Sequence, residues 1–318
     1  MAARLTLAAP CRHEAVINNA IAASPLMLNS RPFRSMLYMP GANPRALDKA
    51  KTLPADALIL DLEDAVAPEA KIDARGHVAQ ALAQGGYGPR YVIARMNGLD
   101  TDWGEADAAM IAASAADGLL LPKVNAAEDL RRLAQLSRDR RAGPPIALWA
   151  MIETPMALLN LREIAAAARE ARLAGLVIGA NDLVKDLGAQ LTTARTGLLP
   201  LLMQILVAAR AFGLIAIDAV FNDIADVDGF AAQCAQAREC GFDGKTLIHP
   251  SQIDAANRAF GPSPADIARA EAIVAAFAAP EAAGKGVLQV EGKMAERLHL
   301  LQAQALLAKA TAIAAMIA

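Results

Sequence analysis

The stretch DALILDLEDAVAPEAK, residues 56–71, contains the pattern that decides the fold of this 318-residue chain. An apolar run at residues 57–62, interrupted only by Asp61, is followed by acidic residues and then by an alanine-rich segment that favours helix. Mostly apolar strands are typical of parallel sheets, where both faces are buried and crossover helices connect the strands. The stretch therefore predicts one strand–helix unit of a parallel sheet.

The same unit recurs eight times along the chain. The predicted strands lie at residues 35–39, 57–62, 91–95, 118–122, 146–151, 175–178, 214–217 and 245–248. The predicted crossover helices lie at residues 45–51, 69–84, 105–116, 126–138, 156–171, 197–212, 226–240 and 250–259. Eight such units close a barrel more naturally than they extend a doubly wound sheet. We therefore predict an α/β protein built on a (β/α)8 TIM barrel.

The rest of the chain flanks this barrel, which we assign to residues 33–277. Residues 1–32 carry Arg4, Arg12 and few acids, as a targeting peptide would, but they also contain Glu14 and lack a compact apolar region followed by a cleavage pattern. We therefore interpret them as a partly ordered N-terminal extension. Residues 264–277 and 295–317 favour additional helices. The Pro-, Gly- and Lys-containing stretch that joins them is interpreted as a mobile lid, so that residues 278–318 form a C-terminal arm and helix.

The composition excludes several classes of partner. A formal net charge of −2, with acids and bases mixed along the chain, argues against nucleic acid as the main partner. No stretch reaches the roughly 18 to 20 consecutive apolar residues that cross a bilayer, so no membrane partner is expected. The three cysteines contain no CxxC pair, which indicates neither a zinc site nor a disulfide framework and fits a reducing cytoplasm.

Two lone carboxylates, Glu153 and Asp182, follow the fifth and sixth predicted strands. Barrel enzymes carry their reacting groups at the carboxyl ends of the strands. Two carboxylates without nearby histidine or cysteine suit a hard cation such as Mg²⁺, which keeps its other positions for waters and substrate oxygens. Equally, Asp182 could cap the next helix and Glu153 could pair with a buried arginine. The spacing leaves both interpretations open.

Arg95 ends the third predicted strand, where a buried guanidinium requires an anion. It could clamp a substrate carboxylate, or form an internal salt bridge to Asp61 or Glu63. In an extended DLED run, Asp61 and Glu63 would share one side and Asp64 would take the other. Asp61 and Glu63 could bind metal through water, orient Arg95, or only hold the mouth of the barrel together. We expect them to support the site rather than to bind the metal directly.

Other strand ends carry weaker signals. Pro40 and Gly41, followed by Asn43 and Arg45, form a turn into a helix that could receive a phosphate, although a plain turn capped by Asn43 explains the same residues. His249, after the eighth predicted strand, is interpreted as a structural hydrogen-bonding group rather than as a catalytic one. Asp218, after the seventh predicted strand, is likewise not assigned a catalytic role.

In order along residues 34–308, seven segments resemble the HpcH/HpaI aldolase/citrate lyase family, in its citrate lyase beta-subunit-like branch. They are LYMPGANPRALDKA, DALILDLEDAVAPEAK, ARMNG, LLLPKV, MIETPMAL, IGANDL and GKTLIHPSQI. The resemblance implies a TIM barrel and acyl-thioester chemistry, since the branch includes citrate lyase beta subunits, malyl-CoA and citramalyl-CoA lyases and related thioesterases. It also implies a homo-oligomer, either a homotrimer or a hexamer.

The resemblance also implies roles for particular residues. Glu153 and Asp182 match the family's magnesium ligands, Arg95 matches its substrate-carboxylate arginine, and Pro40, Gly41 and Arg45 match the part that lies against CoA. Glu153 would then contact substrate as well as metal.

A carboxylate on a C-terminal arm from a neighbouring subunit is thought to complete the site in this family. Glu296 occupies that place here, where the family usually has Asp, and Glu291 is a nearby alternative. The longer side chain keeps acid/base function but alters its reach, and a displacement of about 1 Å matters at a reacting centre.

The expected activity is therefore a Mg²⁺-dependent carbon–carbon lyase that cleaves, or in reverse forms, a 3-hydroxyacyl-CoA of the malyl, citramalyl or citryl type. The products would be an acyl-CoA and a 2-oxoacid, with Arg95 and Glu296 as catalytic residues. The alternatives are thioester hydrolysis on the same site and a weakly active CoA-binding or complex-forming subunit.

Overall fold

The computed structural model describes residues 31–138, 140, 146–282 and 284–317. Eight parallel strands close into a barrel in chain order, and β8 pairs with β1. The strands are β1 (Ser35–Pro40), β2 (Ala57–Asp61), β3 (Tyr91–Arg95), β4 (Gly118–Leu121), β5 (Ala147–Ile152), β6 (Leu173–Ile178), β7 (Ile215–Asp218) and β8 (Gly244–Leu247). The predicted TIM barrel is therefore confirmed.

Helices connect the strands on the outside of the barrel. They are α1 (Pro44–Lys49), α2 (Lys71–Gln84), α3 (Gly104–Ala113), α4 (Ala127–Arg138), α5 (Pro155–Leu159), α6 (Leu161–Ala166), α7 (Ala168–Ala171), α8 (Ala180–Leu187), α9 (Leu199–Ala211), α10 (Val227–Cys240), α11 (Ile253–Phe260) and α12 (Pro264–Ala278). Short 3₁₀ turns lie at Ala50–Thr52, Pro68–Ala70, Pro250–Gln252 and Pro280–Ala282.

Alternation along the strands divides the apolar side chains between two cores. Those that point outward pack under the helices, whereas a second set, which includes Ile59, Ile93 and Trp149, fills the barrel interior. Inside, the Phe33 ring meets Tyr91 and Trp149 edge-on, with ring centroids 5.2 and 5.3 Å apart. Phe33 precedes β1 and Tyr91 begins β3, so this aromatic cluster closes the amino end of the barrel and leaves the carboxyl end for polar side chains.

The structure corrects several predicted boundaries. The helix predicted at residues 156–171 is divided into α5, α6 and α7, and α8 was not predicted. α5 begins at Pro155 after Thr154, whose hydroxyl accepts the Ala157 N–H at 3.0 Å, and Asn160 ends it. This local capping explains why one periodic segment forms separate short helices.

The C-terminal arm differs most from its prediction. Residues 287–296 form an antiparallel hairpin of β9 (Val287–Val290) and β10 (Lys293–Glu296), followed by α13 (Arg297–Ile317). The helix predicted from residue 295 begins at Arg297 instead, because strand pairing extends to Glu296. Ala270 and Ile273 of α12 pack with Ala303 of α13 in a small separate core.

Among the described residues, no helix is long and apolar enough to cross a membrane. The predicted extension at residues 1–32 lies outside the described residues up to position 30.

Candidate active site

Arg95, at the carboxyl end of β3, is the centre of a buried ion-pair network. Its Nε and Nη2 donate to the two carboxylate oxygens of Asp61 at 2.7 and 2.6 Å. The strands place these residues side by side, since Asp61 is the β2 partner of Arg95 in the barrel register. The internal salt bridge weighed from the sequence is therefore present. Although burial opposes the charge of Arg95, the Asp61 carboxylate holds the guanidinium pKa well above its ordinary value.

Nη1 is the part of Arg95 that faces the remaining acids. It lies 2.7 Å from Oε2 of Glu63 and 3.2 Å from Oδ2 of Asp64. Oε2 of Glu63 nevertheless receives no well-aligned hydrogen bond among the described residues, so the approach is an ion pair with poor hydrogen-bond geometry. A buried acceptor in this state remains open to a better donor or to a cation.

The prediction that Asp64 points to the opposite side from Asp61 and Glu63 was wrong. β2 ends at Asp61, and the chain then bends, so the alternation of an extended strand stops there. The Glu63 N–H donates to Oδ1 of Asp61 at 2.9 Å, and Lys71 Nζ donates to the Leu62 and Glu63 carbonyls at 2.9 and 2.7 Å. These bonds turn all three acids toward Arg95.

Tyr38 of β1 lies beneath the guanidinium. Arg95 stacks on its ring at 4.9 Å from the centroid, and the Tyr38 hydroxyl lies 3.9 Å from the sulfur of Met151. Burial raises the pKa of the phenol, so Tyr38 stays neutral at physiological pH. The ring therefore supports the cation from inside the barrel without neutralising it.

Glu153 follows β5 and is almost completely buried, with 1% of its surface exposed. Its Oε1 accepts the Lys123 backbone N–H at 2.6 Å. A side chain at position 179 would overlap Oε2 and Cβ of Glu153, so Gly179 makes the space for this carboxylate. Burial, with the nearby charge of Glu63, raises the pKa of Glu153 to about 8.

The other acids and Lys123 complete a crowded electrostatic group. Burial raises the pKa of Glu63 to about 7, although Arg95 opposes the change. Asp182 lies in the first turn of α8, partly exposed, and its charge contributes to the raised pKa of Glu153. Lys123 Nζ lies 3.5 Å from Oε1 of Glu63, and the surrounding carboxylates outweigh burial and raise its pKa.

These side chains fit a hydrated divalent cation. Two cations, Arg95 and Lys123, face a larger set of carboxylates, namely Asp61, Glu63, Asp64, Glu153 and Asp182. A cation would stabilise the ionised forms of Glu63 and Glu153, whose pKa values are raised first by burial and then by neighbouring carboxylates. Within the described part of the chain, no three His, Cys, Asp or Glu side chains form a ready-made cage. Mg²⁺ suits such a site, because it retains several waters and uses one or two carboxylates.

The predicted phosphate-receiving turn has a clear structural function. Asn43 caps α1 by accepting the Ala46 N–H at 3.2 Å, as the plain-turn alternative required. The Gly41 N–H donates to the Asp61 carbonyl at 2.8 Å, and a Cβ at position 41 would lie 2.6 Å from that oxygen. Arg45 is exposed on the same turn. Pro40 and Gly41 thus lie beside the Asp61–Arg95 pair, while Arg45 faces solvent.

His249 and Asp218 make structural contacts. Nδ1 of His249 accepts the Ser251 N–H at 3.2 Å in a capping arrangement. Asp218 is fully buried and binds Lys245 Nζ at 2.7 Å and Arg195 Nη1 at 2.6 Å. Although burial opposes ionisation, these two cations hold the pKa of Asp218 below its ordinary value. The network joins β7, β8 and α10, and none of its described ion pairs includes Arg95.

Glu296 ends β10 on the outside of its own arm. Its side chain is exposed, and its N–H donates to Nδ1 of His299 at 2.9 Å. No described contact joins it to Glu153, Asp182 or Arg95 of the same chain. The structure thus groups Arg95 with Asp61 and Glu63, and Glu153 with Lys123, but leaves Glu296 apart.

Sequence reasoning missed the parts played by Tyr38, Lys71, Lys123 and Met151. Lys123 had a usable signal, because it follows a predicted strand like the other site residues. It also adopts a left-handed backbone, with φ of 52°, which is uncommon for a residue other than glycine. Tyr38 and Met151 lie within apolar runs and gave no such signal.

Comparisons with known proteins show what the whole chain is similar to. The model of the HpcH/HpaI aldolase/citrate lyase family matches residues 34–250. A (3S)-malyl-CoA thioesterase of Cereibacter sphaeroides (strain KD131 / KCTC 12085) is 49% identical over 286 residues, covering 90% of this chain and 97% of that protein. The citrate lyase subunit beta of Escherichia coli (strain K12) is 36% identical over 295 residues, covering 91% and 97% respectively.

Solved structures show the same similarity. The protein CitE from Mycobacterium tuberculosis, in complex with magnesium, acetoacetate and coenzyme A, matches with a TM-score of 0.70 and 30% identity, covering 89% of this chain and 98% of that one. The citrate lyase beta subunit from M. tuberculosis complexed with oxaloacetate and magnesium matches with a TM-score of 0.63 and 31% identity, covering 74% and 100%.

Proposed function

Because the chain belongs to the HpcH/HpaI aldolase/citrate lyase family, we propose that it is a magnesium-dependent enzyme that acts on a 3-hydroxyacyl-CoA of the malyl type. The observation that carries this proposal is the group of carboxylates around buried Glu153, because a divalent cation would stabilise these side chains in their ionised form. The (3S)-malyl-CoA thioesterase relatives support the substrate class. Magnesium and coenzyme A in the related CitE structure support the cofactor and the carrier.

Glu153 and Asp182 would hold the metal. Glu153 is fixed by the Lys123 N–H and by the space at Gly179, whereas Asp182 is partly exposed and can adjust to the ion. A bound Mg²⁺ supplies Lewis-acid polarisation of substrate oxygens.

Arg95 would bind the substrate carboxylate through Nη1. Asp61 occupies the other two donor nitrogens, so the guanidinium orientation is set before substrate arrives. Glu63 and Asp64 contact Nη1 in the free protein, and the carboxylate would take their place. Bidentate pairing to Asp61 and stacking on Tyr38 therefore pre-organise the clamp. Pro40, Gly41 and Arg45 would lie against CoA, since they adjoin this end of the barrel.

Thioester hydrolysis is the reaction that we propose first. In this reaction water adds to the thioester carbonyl, the carbon–sulfur bond breaks, and the thiol leaves with a proton, so that free CoA and a hydroxy acid are formed. The thioesterase relative is 49% identical across nearly its whole length, whereas the citrate lyase subunit is 36% identical. This difference favours hydrolysis over the lyase activity expected from the sequence.

Carbon–carbon cleavage is the second candidate, supported by the citrate lyase relatives. The substrate hydroxyl loses its proton, the bond between the two central carbons breaks, and the enolate carbon gains a proton. The products are an acyl-CoA and glyoxylate, pyruvate or oxaloacetate. Glu296 of a neighbouring subunit would carry the proton in a homotrimer or hexamer, because its side chain is exposed on its own arm.

The free cysteines of the described chain support a reducing compartment such as the cytoplasm.

The test is to incubate the protein with malyl-CoA and citramalyl-CoA and to measure thiol and 2-oxoacid separately. Thiol without oxoacid supports hydrolysis, whereas oxoacid without thiol supports cleavage. Glu153→Gln and Mg²⁺ chelation should each abolish either reaction, while exposed Glu163→Gln, a matched control on α6, should retain it. Full activity of Glu153→Gln, or activity that is insensitive to chelation, would contradict the metal site.

A further inference from the structure

A polar cavity lies at the amino end of the barrel, opposite the candidate active site. Its volume is about 250 Å³. The residues that line it precede or begin strands, as Phe33 and Ile215 do, and Lys309 of α13 covers it from the C-terminal arm. The volume corresponds to about eight waters, which suits a small ion rather than a nucleotide.

The cavity carries an excess of positive charge. Arg31, Arg210 and Lys309 line it together with a single acid, Asp243. Asp243 is already satisfied, because its Oδ2 accepts Nη1 of Arg210 and the Ala216 N–H, each at 2.8 Å. The positive charges of Arg31 and Lys309 are therefore left for another anion.

Neither of these two cations has an ion pair with a described residue. Arg31 stacks over Tyr91 at 5.3 Å and donates to the Pro89 carbonyl, while its buried Nε has no hydrogen-bond partner. Burial lowers the pKa of Lys309, although the carboxylates of Asp243 and Asp56 oppose the change and Arg34 and Arg238 add to it. A buried donor without an acceptor is costly, so an anionic ligand would stabilise this arrangement.

The chain's own first residues are a poor occupant for this cavity. Residues 1–30 contain one acid, Glu14, against Arg4 and Arg12, so they do not match the charge of the lining. A small anion matches both the charge and the volume.

We propose that this cavity is a second ligand site, which binds a small molecule with a phosphate or carboxylate group between Arg31 and Lys309. Because Arg31 adjoins the barrel and Lys309 belongs to α13, a bound anion bridges the barrel and the C-terminal arm. Occupancy of the site thus fastens the arm, and with it the hairpin that ends at Glu296, to its own barrel.

The experiment is titration of the full-length protein with inorganic phosphate and, separately, with citrate, in the presence of EDTA and at constant ionic strength. Calorimetry gives the Kd, and the thermal midpoint reports ligand stabilisation of the folded state. The proteins compared are the wild type, Lys309→Gln, Arg31→Gln and the control Lys285→Gln, which removes an exposed cation from the loop before β9. The probe that binds more tightly identifies the phosphate or the carboxylate source.

Loss of one charge-assisted contact should weaken binding about tenfold. We therefore expect this loss for Lys309→Gln and for Arg31→Gln, with Lys285→Gln unchanged. Anion binding at the carboxyl end of the barrel would survive both substitutions. Binding within twofold of the wild type in Lys309→Gln, or stabilisation equal to that by chloride, would overturn the proposal.

Hydrogen exchange supplies a second readout, which remains informative if a substitution lowers stability. The tighter-binding anion should slow amide exchange over residues 297–317 in the wild type and not in Lys309→Gln. Equal slowing in both proteins would show that the anion does not act through this cavity.

Discussion

Replacement of Gly179 by alanine tests the position of the Glu153 carboxylate, on which the proposed metal site depends. A Cβ at position 179 would lie 2.5 Å from the Glu153 Cβ and would overlap its Oε2. Non-bonded carbon atoms have an optimal separation of about 3.5 to 4.0 Å, so Glu153 must move by about 1 Å. The backbone at position 179 has a φ of −100°, which alanine tolerates, so the effect is steric.

A displacement of about 1 Å at a reacting centre lowers the rate about a hundredfold. Overpacking of this kind lowers the free energy of unfolding by about 1 to 3 kcal/mol. We therefore expect Gly179→Ala to fold, to require more Mg²⁺, and to lose about two orders of magnitude in kcat/KM for malyl-CoA.

The assay is thiol and 2-oxoacid release at several Mg²⁺ concentrations, with far-UV circular dichroism as a check on the fold. Gly197→Ala is the matched control, because nothing lies within 4 Å of a Cβ at that position. If folded Gly179→Ala keeps activity within threefold of Gly197→Ala at every Mg²⁺ concentration, Glu153 is not the residue that holds the metal.

Three further predictions concern stability, acid sensitivity and the arm. Asp218→Asn should lower the free energy of unfolding by about 3 to 5 kcal/mol at neutral pH, because it leaves buried cations without their partner. Since the folded pKa of Asp218 is lowered, the stabilisation by its carboxylate is complete above the unfolded pKa of about 4 and is lost as pH falls through the folded pKa. Urea denaturation at pH 7 and below pH 4 should therefore show that the wild type and Asp218→Asn differ less in unfolding free energy at the lower pH. An equal difference at both pH values would refute this linkage. Gly76→Ala should raise the free energy of unfolding by about 0.5 to 1 kcal/mol, since position 76 is exposed inside α2 with open space around it, and an unchanged urea midpoint would contradict this. Glu296→Gln should lower kcat about 10² to 10⁴-fold if Glu296 moves a proton, with exposed Glu271→Gln of α12 as the control and Glu291→Gln as the test of the alternative carboxylate. Full activity of Glu296→Gln would exclude that role.

The barrel was predictable because its signal is local. Each strand of a parallel barrel is buried on both faces, so its apolar run stands out without knowledge of its partners, as at residues 57–62. Predicted boundaries failed where caps decide them, as at Asn160 between α5 and α6, and where pairing decides them, as in the hairpin that includes Glu296.

The candidate site was predictable in part for the same reason. Glu153, Asp182 and Arg95 follow or end apolar runs, and strand ends of a barrel share one face. The direction of each side chain was not predictable. Asp64 lies beside Arg95, as Asp61 does, because the strand ends at Asp61 and the chain then bends. The alternation of side chains along a strand did not indicate this end.

By itself, the sequence determined the eight units, their order and the polar residues that end each strand, because these depend on local patterns of apolar and polar residues. The tertiary structure decided which of those residues touch. The Tyr38 hydroxyl and the Met151 sulfur are 113 positions apart in sequence, yet they lie 3.9 Å apart beneath Arg95. Only closure of the barrel brings β1, β3 and β5 around one interior, so contacts across that interior have no counterpart in local sequence.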